Sequence, residues 1–355
     1  MIAGGAVDGA QIRSHFENQA DACERLGSPF TARVCRALAA SLDESTVTGR
    51  RVLSWPGVPG ADALALRLCG GMHALVLTAA DAALAGVYPP NIPGDEALAS
   101  ALAAAIARHD ATLLSWLDSA PQTNEIARSG MLLPGFLMIA RETGLPFDLV
   151  EIGASAGLNL LFDRYHYSYG GADWGDPLSP VKLVPQVKGA APPLAGDLVV
   201  AARHAADVAP VRISQAAERL RLGAYVWPDQ QARLDRLDAA IGLAQTTSFM
   251  LEKADAAEFV EKRLAERRRG KAFVLFHSIV WQYMPPATQA RIEAALAAAG
   301  DAATLAGPIA WLRMEPLSHQ DRFATLGLTL WPGGKTRHLA RCDYHGRWID
   351  WLALA

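Results

Sequence analysis

Glu151, Gly153, Ser155 and Gly157, each two residues from the next, carry most of the chemistry this chain offers. They close an apolar run (Phe147, Leu149, Val150, Ile152) and lead into Leu158 to Tyr165, which reads as a helix. An acid-tipped strand, a turn of small residues and a helix start is how an open α/β sheet makes a ligand site at its strand ends. The small residues, with Ala154 among them, let a bound molecule approach the backbone. The helix start adds unsatisfied N–H donors and partial positive charge. Three chemistries fit this spacing. One is a loop for a nucleotide-type cofactor. Another is a nucleophile elbow, because Gly153-Ala-Ser155-Ala-Gly157 is a literal G-x-S-x-G, with Gly70-Gly71 upstream as a candidate oxyanion loop. The third is a plain glycine turn with no ligand. The dinucleotide pattern G-x-G-x-x-G fits worse, since Ser155 fills its second glycine position.

The elements around the loop discriminate between these. Residues 11–146 show helical periodicity over Ile12–Leu26, Thr31–Leu42, Ala61–Ala85, Asp95–Leu117 and Asn124–Thr143, with Asp95 as a helix cap. A hydrolase needs several strands ahead of its elbow, so a helical first half disfavours that chemistry. From Phe147 the pattern alternates strand and helix, which predicts a mostly parallel, doubly wound α/β sheet. The predicted strands are Phe147–Gly153, Asp197–Arg203, Ser248–Glu252, Ala272–His277 and Ile309–Met314. Helices are expected over Ser214–Arg221, Pro228–Ala244, Ala256–Arg268 and Pro286–Ala299. Leu326–Trp331, Arg337–Asp343 and Arg347–Leu352 predict a closing antiparallel hairpin. We therefore expect a helical N-terminal domain or cap over 1–120 and an α/β domain over 121–355. Within the α/β domain, between its first helix and second strand, residues 169–196 hold five prolines and five glycines without helical period; so long an insertion is expected to cover part of the site.

Composition excludes several classes. The 355 residues are 51% hydrophobic and 19% charged, with net charge −3, which points to a globular protein and to no nucleic-acid or anionic-membrane partner. Arg267-Arg268-Arg269 with Lys271 is the one basic cluster and suits a helix end. Cys23, Cys35, Cys69 and Cys342 lack paired spacing, which predicts free thiols in a reducing compartment. Met1 to Ala10 lacks signal-peptide character, and no apolar stretch is long enough to span a bilayer. A cytoplasmic location is the expectation; the sequence sets no oligomeric state. His338, Cys342, Asp343 and His345 alternate between strand faces, so no metal site is expected from them.

The pattern acid-x-Gly-x-small-x-Gly resembles the first motif of class I methyltransferases, which bind S-adenosylmethionine on a Rossmann-like sheet closed by an antiparallel hairpin. Ser155 stands where many members have glycine. The resemblance covers roughly residues 120–350. More specifically, the chain is similar to a bacterial family of uncharacterised proteins (domain of unknown function family 2332). Pro121-Gln-Thr-Asn-Glu125, Glu151 to Leu160 with Asp163-Arg164-Tyr165, Trp227-Pro228, and Phe276-His-Ser278 with Tyr283 carry that similarity.

The methyltransferase resemblance implies roles. Gly153, Ala154, Ser155 and Gly157 would pass under the methionine part of the cofactor, and Glu151 would anchor its amino group. Asp207, expected four residues past the second strand, would bind the ribose hydroxyls, and Asp255 of Lys253-Ala-Asp255 the adenine amino group. Either acid could instead cap a helix. His277, Ser278, Gln282 and Tyr283 follow the fourth strand, where cofactor and substrate would meet. His277 is the candidate base, with Tyr283 beside it, although positioning alone serves methyl transfer; its plainer role is to bond backbone. Asn124, Glu125 and Arg128 would contact substrate or cap their helix. The implied activity is methyl transfer to a small-molecule acceptor. The alternatives are a Ser155 esterase and a non-catalytic binding module of the same fold.

Overall fold

The computed structural model describes residues 9–318 and 320–352; most of the N-terminal segment read for a signal peptide lies outside them. Twelve strands follow along the described chain: β1 (Phe147–Ile152), β2 (His166–Tyr169), β3 (Ala172–Trp174), β4 (Lys182–Leu183), β5 (Gln186–Gly189), β6 (Val200–Asp207), β7 (Met250–Lys253), β8 (Ala272–Ser278), β9 (Ile309–Glu315), β10 (Ala324–Trp331), β11 (Lys335–Cys342) and β12 (Trp348–Trp351). Nine form one sheet in the order β5-β12-β11-β10-β9-β8-β1-β6-β7. The block β9-β8-β1-β6-β7 is parallel throughout. From β9 to β12 the pairing is antiparallel, and β5 adds in parallel at the edge. The protein is thus α/β, with a large, mostly parallel central sheet and a helical N-terminal region.

Every residue of β1 and β8 is buried. Such strands need apolar side chains on both faces, which is why they read as continuous runs rather than alternations. One face carries Val150, Ile152, Phe273, Leu275 and Trp311 against α11 (Ala256–Ala265) and α12 (Pro286–Asp301). The other carries Phe147 and Phe276 against Phe136 of helix α8 (Ser129–Thr143), whose ring also stacks on Phe162 at 4.0 Å. An added Cβ at Gly135 would stand 2.5 Å from Leu312 of β9, so this glycine sets how closely α8 approaches the sheet.

The second strand of the parallel block ends later than its sequence pattern predicts, at Asp207 instead of Arg203. Its last turn of pairing uses Ala205 and Ala206, small residues that announce no strand but lie buried against Glu151 and Ile152. The Pro/Gly-rich insertion is structured. It completes a three-stranded sheet, β3-β2-β4, and sends β5 to the edge of the main sheet. Tyr169 donates to Gly130 O at 2.6 Å, and an added Cβ at Gly130 would stand 3.6 Å from Pro185, so this segment packs along α8. The helix expected over Leu158 to Tyr165 is a 3-10 helix over Leu158–Arg164.

The chain divides into two compact units: residues up to Thr123 with Ser214–Asp235, and Asn124–Ile213 with Arg236 onward. The first contains α1 (Gly9–Arg25), α2 (Pro29–Ser41), α3 (Val47–Leu53), α4 (Leu64–Leu77), α5 (Ala82–Ala85), α6 (Asp95–Arg108), α7 (Asp110–Trp116) and α9 (Ala216–Ala224). Gly94, not Asp95, is the cap of α6; Asp95 sits in the first turn, where its charge suits the helix dipole. The late segment is built into this unit. Gly70 on α4 leaves room for the Tyr225 ring, and His73 Nδ1 bonds Ala224 O at 3.2 Å. Asp229 accepts from Phe30 N at 2.9 Å and from the Ser28 hydroxyl. Among the described residues, no helix is long and apolar enough to cross a membrane.

Gly135→Val should force α8 away from β9. Overpacking of this kind costs about 1–3 kcal/mol, to be read as a lowered urea midpoint at unchanged slope.

Candidate functional site

The chain leaves β1 for β6 on one side and later builds β8 on the other, so the strand order reverses between β1 and β8. Loops diverging at such a point open a crevice at the C-terminal strand ends, which is where open α/β sheets take ligands. Two segments meet here, residues 153–157 after β1 and 279–283 after β8. Gly153 has φ +64°, and Val280 fills the space its Cβ would need. Gly157 has φ +73°, with an added Cβ only 2.8 Å from the Phe249 ring. Ser155 adopts φ +54°, a left-handed conformation uncommon for a residue with a Cβ.

Hydrogen bonds hold Ser155 in that conformation. Its N–H donates to Asp207 Oδ2 at 2.8 Å, and its carbonyl accepts from Val211 N at 3.0 Å. The neighbouring donors are also engaged. Ala154 N bonds Ala206 O, Gly157 N bonds Ala154 O, and Leu158 N bonds Asn124 Oδ1 at 3.0 Å. Asn159 braces the same turn, accepting from Ser129 Oγ at 2.7 Å and donating to Glu125 O at 3.4 Å.

The side chains facing this loop are acidic. Glu151 is buried, and its Oε2 has no hydrogen-bond partner. Burial pushes its carboxyl well above the usual range, the nearby charge of Asp207 adds to the rise, and Arg128 opposes it. Ser155 Oγ is likewise buried without a partner. Asp207, as the last residue of β6, accepts from both Ser155 N and Ala209 N and is no helix cap. Ala254 N bonds Asp207 O, which brings the end of β7 and Asp255 alongside. Asp255 does cap a helix: its Oδ1 accepts from Ala257 N and Glu258 N, starting α11.

His277 lies elsewhere. Phe276 pairs with Glu151 across β1 and β8, so His277 points to the opposite sheet face. Its ring is fully buried. Nδ1 bonds Glu315 Oε1 at 2.7 Å, and Nε2 accepts from Trp311 Nε1 at 3.1 Å. Both ring nitrogens are thereby committed, leaving no lone pair to take a proton from a substrate. What His277 does is fix the segment that follows. Glu315 Oε1 also accepts from Val280 N and Trp281 N, and Trp281 stacks on the imidazole. Ile279 within this segment has φ +53°, an outlier for a β-branched residue.

The remaining candidates divide similarly. Arg128 donates to Ser278 O at 3.2 Å and Tyr344 O at 3.0 Å, tying the end of β8 to the β11–β12 turn. Glu125 is buried and caps the short 3-10 turn Ile126–Arg128 through Ala127 N. Ser278 is buried, Gln282 half-buried, and Tyr283 is 74% exposed on the rim. Asp343, one of the C-terminal metal-type residues, is held by Arg347 and local backbone N–H groups. Sequence reasoning passed over Glu315, Asn159 and Val280. Glu315 had a signal: like Glu151, it is an acid closing an apolar strand.

No curated protein and no solved structure matches the chain. A family model does, over residues 13–351, so the match takes in the helical region as well as the sheet. The segments around Pro121, Glu151 and Phe276 pointed to this family, and the chain belongs to it: the bacterial family described as an uncharacterized protein conserved in bacteria (DUF2332).

Proposed function

We propose that this chain binds S-adenosylmethionine in the crevice between β1 and β8 and transfers its methyl group to a small-molecule acceptor. The observation that carries the reading is Glu151, a buried carboxylate with an unpartnered oxygen at the point where strand order reverses. The order β7-β6-β1-β8-β9 follows the doubly wound sequence 3-2-1-4-5. The residues suit this cofactor in charge: an ammonium group gives Glu151 the counter-charge it lacks. Asp207, its carboxylate fixed by two N–H donors, is the acceptor for ribose hydroxyls. Asp255 can offer an adenine amino group the Oδ2 that its helix cap leaves unused. Val280 forms the wall over Gly153.

When bound, the cofactor supplies the electrophilic methyl group. The chain's part is to orient, desolvate and hold the acceptor in line, which accounts for most of what such a transfer needs. His277 acts here as a positioning residue for Val280 and Trp281, with no proton to move. The four cysteines, all buried and free, support a reducing, cytoplasmic setting.

One observation favours a second reading, a Ser155 esterase: serine at positive φ between strand and helix is elbow-like. Against it, among the described residues no strand precedes Phe147 and no histidine bonds Ser155. Labelling by a fluorophosphonate, lost in Ser155→Ala, would establish the esterase. A non-catalytic module would bind cofactor without turnover.

Calorimetric titration with S-adenosylmethionine and S-adenosylhomocysteine should show micromolar binding to the wild type and none to Gly153→Arg. A well-folded wild type that binds neither would end the reading. Glu151→Gln separates binding from stability. The folded carboxyl resists ionising, so its penalty is absent below the unfolded value of about 4.3 and grows as pH rises above it. The variant should match the wild type in urea near pH 4, exceed it at pH 8, and bind cofactor at least tenfold more weakly.

A further inference from the structure

Nearly every cation of the sheet unit that lies near α11 has an acidic partner. Lys262 pairs with Glu252, Arg263 with Glu266, and Arg291 with Glu261. The residues just past α11 do not. Arg267, Arg268, Arg269 and Lys271 line a cleft of about 350 Å³, and none of the four forms an ion pair among the described residues. Arg267 is accounted for by carbonyls, donating to Leu264 O at 3.0 Å and Ala299 O at 3.5 Å. Arg268, Arg269 and Lys271 have no such partner. Lys271 feels the charge of Asp148, but that carboxylate is shared between His204 and Arg263.

The rest of the cleft is neutral. Its lining includes Thr304, Gly307 and Pro308, and no carboxylate. Helix ends account for cations near carbonyls, yet not for three more converging on a concavity with nothing negative in it. Like charges held together destabilise one another, and a bound anion relieves that repulsion. The cleft sits where β8 and β9 begin, at Phe273 and Pro308, whereas residues 153–157 lie at the opposite ends of the strands. It is therefore a separate site.

We infer that this cleft binds a small polyanion bearing phosphate groups. A nucleic-acid backbone would need a basic track across the surface; here the charge lines one half-open cleft, and the chain as a whole is negative. Arg268 and Arg269 supply planar forks suited to phosphate oxygens, Lys271 a point charge and Thr304 a hydroxyl.

The test is titration of the full chain with inorganic pyrophosphate, by calorimetry at low and at 300 mM salt, with sulfate at equal charge as control. Sub-millimolar pyrophosphate binding, weakened by salt and at least tenfold weaker in Arg268→Gln/Arg269→Gln, supports the site. Both arginines are exposed, so the variant should fold; its melting temperature verifies that. Absent binding, equal binding of sulfate, or affinity unchanged in the folded variant overturns it. Arg268→Lys/Arg269→Lys should retain intermediate affinity.

Discussion

A carboxylate in a strand that neither sheet face exposes to water is the constraint around which this site is arranged. β1 must be dry on both sides to be central in a parallel sheet, and Glu151 lies within it. A second acid, Asp207, stands close enough to raise the difficulty, and Arg128 only partly offsets it. Burying such a group is tolerable where something else supplies its partner. Within the site, Asp207 accepts from the loop's Ser155 N, and Arg128 donates to Ser278 O and Tyr344 O.

The loop's own donors sharpen the argument about ligand class. A phosphate-binding loop presents free backbone N–H groups to its anion. Here Ala154, Ser155, Gly157 and Leu158 each donate within the protein. With those donors engaged and two acids facing the turn, the crevice favours ligands that carry positive charge or hydroxyl groups over pyrophosphate. That distinguishes the loop from a dinucleotide-binding turn on physical grounds, beyond the serine at the second glycine position.

The parallel block was legible because continuous apolar runs such as Ala272–Phe276 have few other uses. The acid-Gly-small-Gly turn was legible because those residue types are needed at a tight strand end. Strand boundaries were less so. Ala205 and Ala206 pair deep in the sheet but carry no β signal of their own. The role of His277 was not legible, because it turns on side-chain alternation relative to Glu151 and on two partners, Glu315 and Trp311, more than thirty residues downstream. Nor did Pro/Gly content reveal that 169–196 would build strands along α8. Asp255 shows the opposite limit: a local signal, Asp before a helix, had the plain local explanation.

The helical unit takes its last pieces from the middle of the chain. Ser214–Asp235 lies some ninety residues beyond Thr123, yet Tyr225 and Asp229 complete packing begun by Gly70 and Ser28. The polypeptide thus crosses between the units three times, and neither is a contiguous stretch. A ribosome must have emitted Asp235 before the helical unit can close, so it cannot finish folding as an independent early module. A single backbone nick after Thr123 would leave the C-terminal product holding part of the helical unit's core. The boundary visible in the secondary structure is therefore no seam along which this protein can be cut.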